Sequence, residues 1–171
     1  MTSMNMDNFK VNLPYPPIKV ESKNSKYANL ILQNYSGMVS EFTAVTQYIY
    51  HEIYAFHDNT EVSLTIKGIA MIEMMHLQML GEIVTLLGCS PKYGINRKGK
   101  FLDWTPKFID YGKTLPAMIL DDIVAEEKAI DQYIQTLALI NDKYIKAIIE
   151  RIILDENLHL KLFSNLYETL I

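Results

Sequence analysis

Towards the end of the chain, Ile145, Ile149, Ile152, Glu156, His159, Phe163, Leu166 and Leu170 follow one another in alternating steps of four and three, the spacing of one face of an α-helix. Such a face is buried, so this helix carries a glutamate and a histidine into a core. The pattern recurs three times. Ile66, Ile69, Glu73, His76, Leu80, Ile83 and Leu87 form a second stripe; Ile119, Ile123, Glu126, Ile130, Tyr133, Leu137 and Ile140 a third; Ile31, Asn34, Met38, Glu41, Val45 and Tyr48 a fourth. The fold must therefore supply four long helices and some means of tolerating an interior acid on each.

An ionised carboxylate in a dry core costs several kcal/mol unless it is compensated, and none of these stripe positions is Lys or Arg. The cation has to come from outside. Four glutamates are matched in charge by two divalent ions bridged by carboxylates. Glu and His three residues apart lie on one helix face, so Glu73 with His76, and Glu156 with His159, each aim an oxygen and a nitrogen at one volume. The expected metal ligands are Glu41, Glu73, His76, Glu126, Glu156 and His159. One Glu from each of two helices plus Glu-x-x-His from each of two others is the known ligand pattern of ferritin-like di-iron and di-manganese proteins.

Punctuation along the chain orders these helices. Residues 1–24 hold Pro14, Pro16 and Pro17 without helical periodicity, which predicts an extended arm. Helices are expected over about 25–56, 61–87, 115–140 and 142–170, with His57 to Thr60 and Asn141-Asp142 as short capped links. Residues 89–113, carrying Pro91, Gly94, Gly99, Pro106 and Gly112, form a long crossover. Two helical hairpins joined in this way make an all-α, antiparallel four-helix bundle over residues 25–171.

The two halves also resemble each other. Glu41-Phe-Thr-Ala44-Val-Thr-Gln47-Tyr48 matches Glu126-Glu-Lys-Ala129-Ile-Asp-Gln132-Tyr133, and Glu73-Met-Met-His76-Leu77 matches Glu156-Asn-Leu-His159-Leu160. Two equivalent half-sites about a pseudo-two-fold axis follow, with Glu126 rather than Glu127 as the ligand on the third helix. Tyr48 and Tyr133, each seven residues after a ligand, are expected to donate their hydroxyls to the metal carboxylates. His51 and His57 fall outside the stripes and read as solvated or capping residues, Gln47 and Gln132 as surface or interhelix residues, and Met71, Met74, Met75 and Met79 as packing between helices.

These residues resemble the ferritin-like superfamily, and within it the manganese-catalase branch with its spore-coat relatives. Tyr15-Pro16-Pro17-Ile18-Lys19-Val20, Tyr35-Ser36-Gly37 ahead of Glu41, and Asp122 to Ala129 are similar to that branch. The resemblance implies a dinuclear Mn or Fe oxidoreductase acting on hydrogen peroxide or another small oxidant, built as a homo-oligomer. In manganese catalases the glutamate equivalent to Glu156 can sit one layer behind the metals. A rubrerythrin-like peroxidase is the next reading, although those proteins usually carry a second carboxylate where this chain has Ala129. Ferroxidase or iron-handling chemistry, and a non-catalytic coat or scaffold component, are the remaining alternatives.

Composition narrows the partners. Net charge is -4 and the 16 Lys and Arg are scattered, so no basic stripe for nucleic acid is expected. No run of 18 uncharged apolar residues predicts a membrane span, and the first twenty residues lack a secretory apolar core. The single cysteine, Cys89, excludes an intrachain disulfide and fits a reducing compartment, so the cytoplasm is expected, with a spore coat as the alternative.

Overall fold

The helix expected from residue 25 to 56 is two helices, α1 (Ser25–Ser36) and α2 (Glu41–Ala55). Gly37 ends the first. A Cβ there would stand 2.5 Å from the Gln33 carbonyl oxygen, so only glycine fits this turn. The Gly37 carbonyl accepts from the hydroxyls of Ser40 (2.8 Å) and Thr43 (3.1 Å), and Ser40 Oγ in turn accepts the Thr43 N–H, capping α2. Met38, expected in the buried stripe, consequently lies in the break and is 63% exposed. Glu41 becomes the first residue of a helix.

The computed structural model describes residues 5–171, so the first four residues of the expected arm lie outside the described residues. After α2 come α3 (Thr60–Leu86), α4 (Leu115–Leu139) and α5 (Lys143–Leu170). Asn59, Thr114 and Asp142 cap their N-termini through side-chain oxygens, and Pro116 sits in the first turn of α4, where a missing N–H costs nothing. The crossover is not featureless. It contains a hairpin of β1 (Gly94–Arg97) and β2 (Lys100–Asp103), paired antiparallel and turned by Lys98 and Gly99, both at positive φ. Ser36 Oγ accepts the Gly94 N–H at 2.9 Å and Trp104 Nε1 donates to Thr43 Oγ1 at 2.9 Å, so the crossover is fastened to the α1–α2 break.

With α1 and α2 as one column, the helices make an antiparallel four-helix bundle, and its interior has three layers. One apolar cluster gathers residues such as Ile31, Leu80, Ile83, Ile145 and Ile149; the other gathers Tyr48, Ile66, Ile69, Ile119 and Phe163. Every column passes from one cluster to the other through a short polar stretch. Helix α3 is apolar and long enough to cross a membrane by length and composition, but more than half of its most apolar window is buried in this bundle. Residues 5–24 run outside the helices, with one short 3-10 turn at Met6–Asn8, and contact α3 and α5.

Candidate metal centre

All six expected ligands meet in the polar layer. Glu41 enters from the start of α2, Glu73 and His76 from mid-α3, Glu126 from α4, and Glu156 and His159 from α5. None is more than 4% exposed. They fall into two overlapping sets, Glu41, Glu73, His76 and Glu156, and Glu73, Glu126, Glu156 and His159, each with one ligand atom per residue and all of those atoms within 4.8 Å of one another. Glu73 and Glu156 belong to both sets. Glu41 and Glu126, and His76 and His159, belong to one each, the division that the internal repeat implies.

Both imidazoles present Nδ1 to the carboxylates. His76 Nδ1 lies 3.1 Å from Glu73 Oε2 and 3.1 Å from Glu156 Oε1; His159 Nδ1 lies 2.7 Å from Glu73 Oε1. Their Nε2 atoms face outward, His76 to Asp155 Oδ2 at 3.2 Å and His159 to the Phe9 carbonyl at 2.8 Å. Outward Nε2–H donors leave the Nδ1 lone pairs for a cation. Among the described residues, Glu73 Oε1, Glu156 Oε1 and His159 Nδ1 are buried and, despite these close Nδ1 approaches, make no hydrogen bond of good geometry. Orphaned oxygen and nitrogen atoms facing one volume, with hard carboxylates and one imidazole per set, fit a pair of Mn or Fe ions.

Electrostatics agree with that fit. Burial, reinforced by the charges of Glu73 and Glu156, pushes the Glu41 carboxyl well above its usual range, and burial with Glu156 and Glu73 does the same to Glu126. Burial also acts on Glu73, yet the His159 charge and the bonds from both histidines hold it well below. On Glu156 burial and the Glu73 charge are outweighed by His159 and His76. Burial would lower His159, but Glu73 and Glu156 push it up to about 10; His76 is raised against burial by Asp155, Glu156 and Glu73.

Tyr48 donates to Glu126 Oε1 at 2.7 Å, and Tyr133 donates to Glu41 Oε1. Each tyrosine reaches the glutamate of the opposite half. Burial first, then the adjacent glutamate, pushes both phenols well above their ordinary value, so they remain donors. Glu127, adjacent to Glu126, is exposed.

Several expectations need correction. His51 is fully buried, neither solvated nor capping, with Nδ1 2.8 Å from Asp122 Oδ1 and Nε2 3.1 Å from the Asp110 carbonyl. Gln47 takes the interhelix alternative rather than the surface one: it is buried, donates from α2 to Asp122 on α4 and accepts from the Asp110 N–H. Together they clamp the crossover beside the site. Met71, Met74 and Met75 do not pack between helices but are 37–43% exposed; only Met79 is buried. Asp122, Arg151 and Asp155 were missed. Asp122 stands one turn before Glu126, and Arg151 one turn before Asp155, so their spacing held a signal that the apolar stripes concealed.

A cavity of about 230 Å³ opens from the four glutamates, between α2 and α4, to exposed Met38, Lys107 and Lys128. Its walls include Tyr48, Tyr133, Gln47 and Gln132. The volume suits a small molecule, which would pass between walls of mixed polarity to reach the carboxylates at the inner end.

The chain matches the family described as Rubrerythrin over residues 36–167. It is 26% identical over 164 residues to the probable manganese catalase of Clostridium acetobutylicum, covering 85% of this chain and 72% of that protein. Among solved structures, KatB, a manganese catalase from Anabaena, superposes with a TM-score of 0.84 at 20% identity over 93% of this chain and 78% of that one. Bacterioferritin BfrA of Mycobacterium tuberculosis gives a TM-score of 0.72 at 19% identity over 86% of this chain and 87% of its own.

Proposed function

The chain belongs to the Rubrerythrin family, among the ferritin-like dinuclear metal proteins and near the manganese catalases, and on that premise we propose that it breaks down hydrogen peroxide with a pair of Mn or Fe ions. The observation that carries this reading is the sharing of Glu73 and Glu156 between two ligand sets, each completed by its own glutamate and histidine. When bound, the ions supply a two-electron redox change and Lewis-acid positions for a small oxidant.

The protein's own groups do the rest. Glu41, Glu73, His76, Glu126, Glu156 and His159 would hold the pair, with Glu73 and Glu156 common to both ligand sets. Six side chains shared by two ions leave coordination positions free unless several of them bridge or chelate, and the cavity leads from Glu41 and Glu126 towards the surface. Tyr48 donates its hydroxyl to Glu126 and Tyr133 donates to Glu41, which fixes the orientation in which each carboxylate would meet an ion. The clamp from Gln47 and His51 to Asp110 keeps the crossover at the cavity mouth.

The test is metal analysis of the isolated protein followed by oxygen release from peroxide in the same sample. About two Mn per chain with rapid release supports catalase-like turnover. The family match favours a second reading, rubrerythrin-like peroxide reduction, in which two Fe are found and peroxide disappears only when an electron donor is added, without oxygen release. A protein isolated with native metals that consumes peroxide under neither condition ends both.

A further inference from the structure

The two histidines of the centre are supported differently, and the difference traces to one position of the internal repeat. At the offset of 83 residues that relates Glu73 to Glu156, Asp155 corresponds to Ile72. His76 thus has a carboxylate behind it, whereas the equivalent position behind His159 offers an aliphatic side chain. His159 Nε2 instead donates to the backbone carbonyl of Phe9, in the arm, at 2.8 Å. A carbonyl only accepts, so this bond fixes a proton on Nε2 and leaves Nδ1 for the carboxylate cluster.

The arm also completes the other half. Tyr15 donates to Asp155 Oδ2 at 2.6 Å, the oxygen that faces His76, and the Val11 N–H donates to Asp155 Oδ1 at 2.7 Å. Arg151, 5% exposed, ties this together: it donates to the Val11 carbonyl (2.7 Å) and the Leu13 carbonyl (3.0 and 3.1 Å), pairs with Asp155 at 2.7 Å, and lies 4.4 Å from the Tyr15 ring centroid. The Phe9 ring fills the space over Gly68, where a Cβ would come within 2.3 Å of it. The arm lies across α3 and α5, while the cavity opens between α2 and α4.

We infer that the N-terminal arm is part of the metal centre, its Phe9 carbonyl orienting His159 and its Tyr15 hydroxyl orienting His76 through Asp155. This rests on the dinuclear reading above. Phe9 and Tyr15 are positioning residues, and each serves one half-site.

Phe9→Ala, which unseats the carbonyl, and Tyr15→Phe, which deletes one hydroxyl and preserves packing, are made in the full chain and titrated with Mn(II) against a chelator. Each is expected to weaken one of the two ions about tenfold or more and to leave the other near wild type. The Zn(II)-loaded proteins, being diamagnetic, report by nitrogen-15 NMR whether the His159 and His76 Nε2–H protons are protected from exchange. Loss of protection at His159 in Phe9→Ala, and at His76 in Tyr15→Phe, is the expected signature. Wild-type affinity for both ions with both protons still protected, in Tyr15→Phe and in a folded Phe9→Ala, overturns the inference alone. A wild-type protein that takes up neither ion overturns the dinuclear reading and the inference with it.

Discussion

Burial pushes the Glu41 and Glu126 carboxyls up, whereas Glu73 and Glu156 are held down, because the histidine nitrogens approach the second pair to 2.7–3.1 Å and come no nearer than 3.8 Å to the first. Glu41, Glu126, His76 and His159 are the groups whose hold on a proton the metal-free site strengthens. Metal must displace any proton held on such a ligand, so binding near neutral pH is expected to release protons, measured by calorimetric titration in buffers of different ionisation enthalpy. Binding with no proton release contradicts these assignments. The sign of the pH dependence follows. All four groups have raised pKa values, so protons compete with metal increasingly as pH falls, and affinity should climb from pH 6 to pH 9. In the metal-free protein, the stabilisation from His159 is complete below its ordinary value near 6.5 and disappears as pH rises through about 10, so metal-free and metal-loaded proteins should respond to alkali in opposite directions in thermal melts. The shared and unshared ligands also separate. Glu73→Ala is expected to reduce bound metal to near zero by elemental analysis, while Glu126→Ala keeps one ion per chain.

At the scale of elements, the break between α1 and α2 has most consequence. It places Glu41 at a helix N-terminus, where free N–H groups and the helix dipole favour an anion. Ser40→Ala removes the cap of α2 and should cost about 1 kcal/mol in urea unfolding, while weakening the ion held by Glu41 more than its neighbour. Equal weakening of both ions would show that the cap supports the bundle generally rather than this ligand. The break was hard to read because Ile31, Asn34, Met38 and Glu41 keep helical spacing straight through it. Gly37 and Ser40 were the local signals, overridden by a periodicity that Met38 does not in fact obey. The crossover hairpin was missed for a related reason: strands of four residues, nearly all exposed, show no alternation of apolar and polar residues.

Across the whole molecule, apolar surface remains to be covered. Tyr50, Ile53, Tyr54 and Phe56 cluster at the C-terminal end of α2 and are 38–63% exposed. A homo-oligomer that buries this patch is expected, and sedimentation should give a mass well above the 19.7 kDa of one chain. Ile53→Lys should shift the population to monomer with both ions retained, since the patch contributes no ligand. What the sequence determined by itself was the helical bundle and its six inward polar residues, because period and burial are local consequences of spacing, and because an acid in each stripe demands compensation wherever the helices come to lie. Tertiary structure alone decided which carboxylates are shared, which nitrogen of each imidazole points inward, and that Phe9, Tyr15, His51 and Asp122 surround the site. Those outcomes depend on contacts between residues more than 60 positions apart, whose distances are set by how the columns and the arm pack, and no spacing along a single segment encodes them.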